Sequence, residues 1–201
     1  MLRKVVLYSV VRNQLKLGYT GSGIKVAIID TGLLLNHPLI GQAVEDSVDF
    51  TGEGTLDLNG HGALNGLFAL MPAPGVRPFN VKAVDAEGRG SEKDLVKAIE
   101  WSIKKGTRVI NLSVGVYPQK WGLPECSGDC KICRAAENVV KAGVVVVAAS
   151  GNKTDKTCCP AKSGIVKEES GIIVEESHYD FEIKMMFTPQ CTGTYFIKTI
   201  V

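Results

Sequence analysis

Four short runs of apolar, largely β-branched residues set the frame of this chain: Ile24 to Ile29, Phe79 to Val84, Arg108 to Leu112 and Val144 to Ala149. Each is too short for an ordinary helix, and their unbroken hydrophobicity is what strands buried on both faces show. Helical patterns lie between them. Ser91-Glu92-Lys93-Asp94 places a capping serine three residues before an acid, and Leu95, Val96, Ile99 and Ile103 follow at helical spacing until Gly106. Cys133 to Ala142 carries Ala135, Ala136, Val139 and Val140 at the same spacing, with Gly143 at the stop. A third helix is predicted from near His61 through Leu64, Leu67, Phe68 and Leu70, ended by Pro72. Strand, helix, strand, helix, strand predicts an α/β fold, a doubly wound parallel sheet with helices on both faces.

The chain has 201 residues, 45% of them hydrophobic, enough for one well-buried core. From Ser163 the rhythm changes: Ile172-Ile173-Val174, Phe181 to Phe187 and Tyr195 to Val201 alternate partially, as half-exposed antiparallel strands do. The expected division is therefore a main domain over 1–162 and a divergent β-rich segment over 163–201. A net charge of +2, from 23 basic and 21 acidic residues, leaves no electrostatic footprint for nucleic acid or an anionic membrane. Met1-Leu2-Arg3-Lys4 followed by Val5 to Val11 has the outline of a signal peptide without a small-residue cleavage site, and reads as a first strand. No apolar stretch reaches the roughly eighteen residues of a membrane span. A soluble, cytoplasmic protein is expected.

Ligands of open parallel sheets bind outside the carboxyl ends of the strands. Asp30-Thr31-Gly32 follows the first run, Ser113-Val114-Gly115 the third and Ser150-Gly151-Asn152 the fourth, so all three polar clusters are predicted on one rim. His61, set between Gly60 and Gly62 at a predicted helix start, can approach the same edge. An acid, a base and an amide donor from separate segments form the kind of constellation that proton-transfer chemistry needs. A nucleotide-binding reading fares worse, because Asp30 would repel a phosphate where a glycine-rich loop should cradle it.

In ordered blocks from about Leu17 to Ala161 the chain resembles the subtilisin-like serine proteases, the subtilase family. The blocks are Gly21 to Gly32, His37-Pro38, Asn59-Gly60-His61-Gly62, Val81 to Val84, Gly90-Ser91, Ala98 to Ile103, Val109 to Gly115 and Gly143 to Asn152. The resemblance implies peptide-bond hydrolysis without a cofactor or metal. Asp30 would orient His61 and stabilise its imidazolium, and His61 would act as general base and then acid. Asn152 would donate to the oxyanion. Ser113, Val114 and Gly115 would bind an extended peptide or protein substrate by strand addition.

The family's nucleophile lies in a glycine-threonine-serine motif at the start of a central helix, and no such triplet occurs in this sequence. Ser163, Ser170 and Ser177 lack that context, and Gly193-Thr194-Tyr195 puts tyrosine where the serine belongs. After His61, Gly62-Ala63-Leu64-Asn65-Gly66 stands where the family continues with threonine and a second histidine. Three readings stay open: a truncated or frame-disrupted gene product, a partner chain supplying the serine segment, or a catalytically inactive fold that binds peptides.

Cys126, Cys130 and Cys133 fall within one short stretch, Cys158-Cys159 follows Asn152, and Cys191 stands alone. A structural crosslink or reduced thiols rank above a metal site at this level, because no paired CxxC arrangement is present. A nucleophilic Cys158 or Cys159 is the remotest option.

Overall fold

The computed structural model describes residues 15–115 and 126–149. Five parallel strands form one sheet in the order β2-β3-β1-β4-β5: β1 is Lys25–Asp30, β2 Asp46–Asp49, β3 Arg77–Lys82, β4 Val109–Leu112 and β5 Val145–Ala148. The four strands expected from the apolar runs are present, shifted by one or two residues at their ends. Four helices connect them: α1 (Pro38–Gly41), α2 (His61–Leu70), α3 (Glu92–Lys104) and α4 (Lys131–Lys141).

Strand alternation splits the core between the two faces of the sheet. Ala27 and Ile29 of β1 join Phe79, Val81, Ile110 and Leu112 beneath Leu95, Ala98 and Ile99 of α3 and Ile132, Ala136 and Val139 of α4. Val26 and Ile28 point the other way, into a smaller cluster with Leu33, Ile40 of α1 and Leu70 of α2. Helices on both faces account for the uninterrupted hydrophobicity of β1, whose side chains are buried from Val26 to Asp30.

Two elements were not legible as apolar patterns. β2 has a single apolar residue, Val48, and is an edge strand held by its ladder to β3, with Asp46 opposite Phe79 and Asp49 opposite Lys82. α1 is one turn begun by His37, whose Nδ1 accepts from the Leu39 amide at 3.3 Å. α3 starts where its cap predicts, with Ser91 Oγ accepting from the Asp94 amide at 3.1 Å. α4 begins at Lys131, two residues before the expected Cys133, because buried Ile132 already belongs to the core stripe. The expected strand over Val5 to Val11, the boundary near Ser163, the C-terminal strands and Asn152 lie outside the described residues. Among the described residues no helix is long and apolar enough to cross a membrane.

Candidate active site

Asp30 ends β1 at the centre of the sheet, so its side chain emerges at the carboxyl rim while remaining fully buried. Its two oxygens are both engaged. Oδ1 lies 2.7 Å from His61 Nδ1 and accepts from the Thr31 amide at 2.7 Å. Oδ2 accepts from Asn65 Nδ2 at 3.0 Å. A carboxylate can only accept, so Nδ1 of His61 carries the proton and Nε2 is left with the lone pair that a general base requires. Asn65 Nδ2 also donates to the His61 carbonyl at 3.1 Å. Its 3.3 Å approach to Nδ1 is then a close contact between two donors and not a bond.

The imidazole is presented by the first residue of α2, and the start of that helix is capped from outside. Its N-cap, Gly60, has φ +98° and no side chain, so the orphan amides of the first turn need other acceptors. Asp57 takes two of the four: Oδ1 accepts from the Gly60 amide at 3.0 Å, as it does from the preceding Asn59 amide at 2.9 Å, and Oδ2 from the Ala63 amide at 2.7 Å. Thr31 Oγ1 accepts from the Gly62 amide at 3.0 Å and donates to Asp57 Oδ1 at 2.9 Å. One hydroxyl thus joins the residue after the acid to the residue after the histidine. A carboxylate at the positive end of a helix is also favourable on electrostatic grounds.

Close approach of the two segments requires glycine. A Cβ on Gly62 would run into the carbonyl oxygen of Gly32, and one on Gly32, at φ +111°, would meet the Asp57 amide nitrogen at 2.8 Å. The Gly-His-Gly and Asp-Thr-Gly motifs therefore pack backbone to backbone.

Burial pulls the His61 pKa down, but the bond to Asp30 and the negative charges of Asp30 and Asp57 outweigh it, so the imidazole titrates above its ordinary value. Its side chain keeps 17% exposure, enough for a proton or substrate atom to reach the outer edge. Ser113, Val114 and Gly115 continue outward from β4, the strand beside β1. Ser113 Oγ accepts from Asn111 Nδ2 at 2.9 Å, and Val114 packs partly against the core. On the next strand, the Ala149 amide donates to the Leu112 carbonyl at 2.9 Å, which extends the β4–β5 ladder to the same rim.

Sequence reasoning singled out Asp30 and His61, and the fold brings them into contact. It missed Asp57, Thr31 and Asn65 as members of the site. The signal for Asp57 was its place in Asp57-Leu58-Asn59-Gly60, a side-chain-capped turn leading into a helix. Asn65 stands one helical turn after His61, a spacing that puts both on the same face.

A doubly wound parallel sheet thus carries, at its carboxyl rim, a buried aspartate hydrogen-bonded to the histidine that opens a helix. The chain belongs to the subtilase family, whose profile matches residues 21–176. It is similar to Subtilisin BL of Lederbergia lenta, with 36% identity over 146 residues that cover 67% of this chain and 50% of the relative. Subtilisin DY of Bacillus licheniformis is 33% identical over 145 residues, 67% of this chain and 49% of the relative. A crystal structure described as that of a lanthipeptide protease superposes with a TM-score of 0.61 at 26% identity, covering 74% of this chain and 48% of that one. The chain spans about half the length of these relatives.

Proposed function

We propose that this chain carries the acid–base half of a subtilisin-like serine endopeptidase site, acting on extended peptide or protein substrates. The observation that carries the reading is the 2.7 Å contact between His61 Nδ1 and fully buried Asp30, which fixes the tautomer and leaves Nε2 to take a proton. In this reading the substrate strand lies along Ser113, Val114 and Gly115, and Asn152 donates to the oxyanion. The nucleophilic hydroxyl comes from beyond the recognisable motifs of this sequence, on a partner chain or a further segment.

The absence of a glycine-threonine-serine triplet favours a second reading, a peptide-binding domain that does not cut. A fluorophosphonate probe separates the two. The endopeptidase reading expects covalent labelling of the folded protein, alone or with its complementing segment, and loss of labelling in His61→Ala. Well-folded protein that resists the probe under both conditions, yet still binds extended peptides, overturns it in favour of the second.

A further inference from the structure

Beyond the acid–base pair, a second group of reactive side chains converges at the start of α4. The Sγ atoms of Cys126, Cys130 and Cys133 all lie within 4.8 Å of one another, and those of Cys126 and Cys133 are 3.9 Å apart. A disulfide would need about 2.05 Å. Thiolates on a single tetrahedral zinc ion, with Zn–S bonds of about 2.3 Å, sit about 3.8 Å apart along each edge. The 3.9 Å between Cys126 and Cys133 is close to that edge.

The surroundings suit a metal-bound sulfur. Cys130 is the N-cap of an eleven-residue helix, yet its side chain makes no capping hydrogen bond, and Cys133 lies in the first turn. Both residues thus stand at the positive end of the helix, where the negative charge of a metal-bound sulfur is favourable. The Gly128 amide donates to Cys126 Sγ at 3.3 Å, the kind of outer contact that steadies a metal-bound sulfur. Cys126 and Cys133 are buried in a small cluster that Cys130 joins to the main core.

We propose that Cys126, Cys130 and Cys133 form a three-thiolate site for a zinc-type ion, supplying three of its four tetrahedral corners. Binding forms three metal–sulfur bonds and releases up to three thiol protons to solvent, so affinity falls as the solution is acidified. Topology gives the site a purpose. β4 and β5 are parallel, so α4, which connects them, runs back across the sheet and starts on the carboxyl side that holds Asp30 and His61. The ion would pin the far end of the connection that leaves β4 through Ser113, Val114 and Gly115. It does so whether or not the neighbouring site cuts peptides.

The test uses the full chain, purified under reducing conditions and loaded with one equivalent of Zn²⁺ or Co²⁺. One ion per chain should survive desalting, and the cobalt form should show an intense thiolate-to-metal band in the near ultraviolet with tetrahedral ligand-field absorption. Cys130→Ser keeps a favoured N-cap residue and so preserves the fold. It should weaken Zn²⁺ binding by more than about 100-fold, beyond the 10–100-fold that loss of an outer contact costs. Folded protein that retains neither ion overturns the proposal. So does equal retention by the Cys126→Ser, Cys130→Ser, Cys133→Ser triple variant, which would place the ion on Cys158, Cys159 or Cys191. Oxidation of the three thiols to disulfides that Zn²⁺ cannot prevent overturns it as well.

Discussion

Thr31→Val tests whether one hydroxyl holds the acid and base segments together. Valine has the shape of threonine and fits the same buried position, where Thr31 is 2% exposed, so the substitution removes hydrogen bonding with little change in volume. Two bonds disappear: the Gly62 amide loses its acceptor at 3.0 Å, and Asp57 Oδ1 loses a donor at 2.9 Å. A buried amide left without a partner costs about 1–3 kcal/mol, and a hydrogen bond to a charged group contributes about 1.5–3 kcal/mol. Asp57 still accepts from the Asn59, Gly60 and Ala63 amides, so the second loss is partly absorbed. The expected destabilisation is about 2–4 kcal/mol. Thr31→Ser, which keeps the hydroxyl and gives up one methyl group, should cost only about 1 kcal/mol. Urea unfolding at constant m-value reads both. If valine stays within about 0.5 kcal/mol of the parent, or serine costs as much as valine, the hydroxyl does not link the segments.

His61 should titrate above the ordinary histidine value of about 6.5 by NMR, and Asp30→Asn should drop it below that value, because burial then prevails. Because the folded pKa is the higher one, the stability His61 contributes is fully present below about pH 6.5 and is lost as pH rises through the folded value, whereas base chemistry becomes available only above it. Gly62→Ala should cost about 3 kcal/mol or more, since its methyl meets the Gly32 backbone; Gly66→Ala should cost less, since there the obstacle at 2.7 Å is the tip of the Leu33 side chain. Thermal melts that rank the two the other way would contradict the backbone-contact account. Lys82 is fully buried, with Nζ 3.0 Å from Glu53 Oε2 and 3.1 Å from the Leu56 carbonyl. Glu53→Gln should therefore destabilise more than Lys82→Met, because the first strands a buried charge and the second removes it; equal midpoints in urea would refute the pairing.

The parts of the fold that could be read from the sequence are those in which local pattern and burial agree. β1, β4 and β5 are short apolar runs, and α3 has a serine cap with an amphipathic stripe behind it, so each is legible alone. β2 is not, because Asp46-Ser47-Val48-Asp49 is polar and owes its strand conformation to pairing with β3. Within the site, Asp30 stood out as an acid at the end of an apolar run and His61 as a histidine between two glycines. Asp57 and Asn65 did not, because their roles consist of contacts made only after folding: a carboxylate closing a helix end, and an amide reaching the second oxygen of the acid. Lys82 runs against the pattern altogether, a charge inside an apolar strand that is tolerated because Glu53 and a backbone carbonyl meet it.

That division bears on what half of a family's usual length can hold. Among the described residues, four groups that brace His61 and its helix start lie between Asp30 and Asn65: the acid on β1, the Thr31 hydroxyl, the Asp57 cap and the Asn65 amide. β1 itself is held between β3 and β4, and α2 packs on the face lined by Val26, Ile28 and Leu33. These braces all belong to the described core. Preorganised orientation of the base is a separate contribution from supplying the attacking atom. It follows that the elevated His61 titration and its dependence on Asp30 should be measurable in this chain.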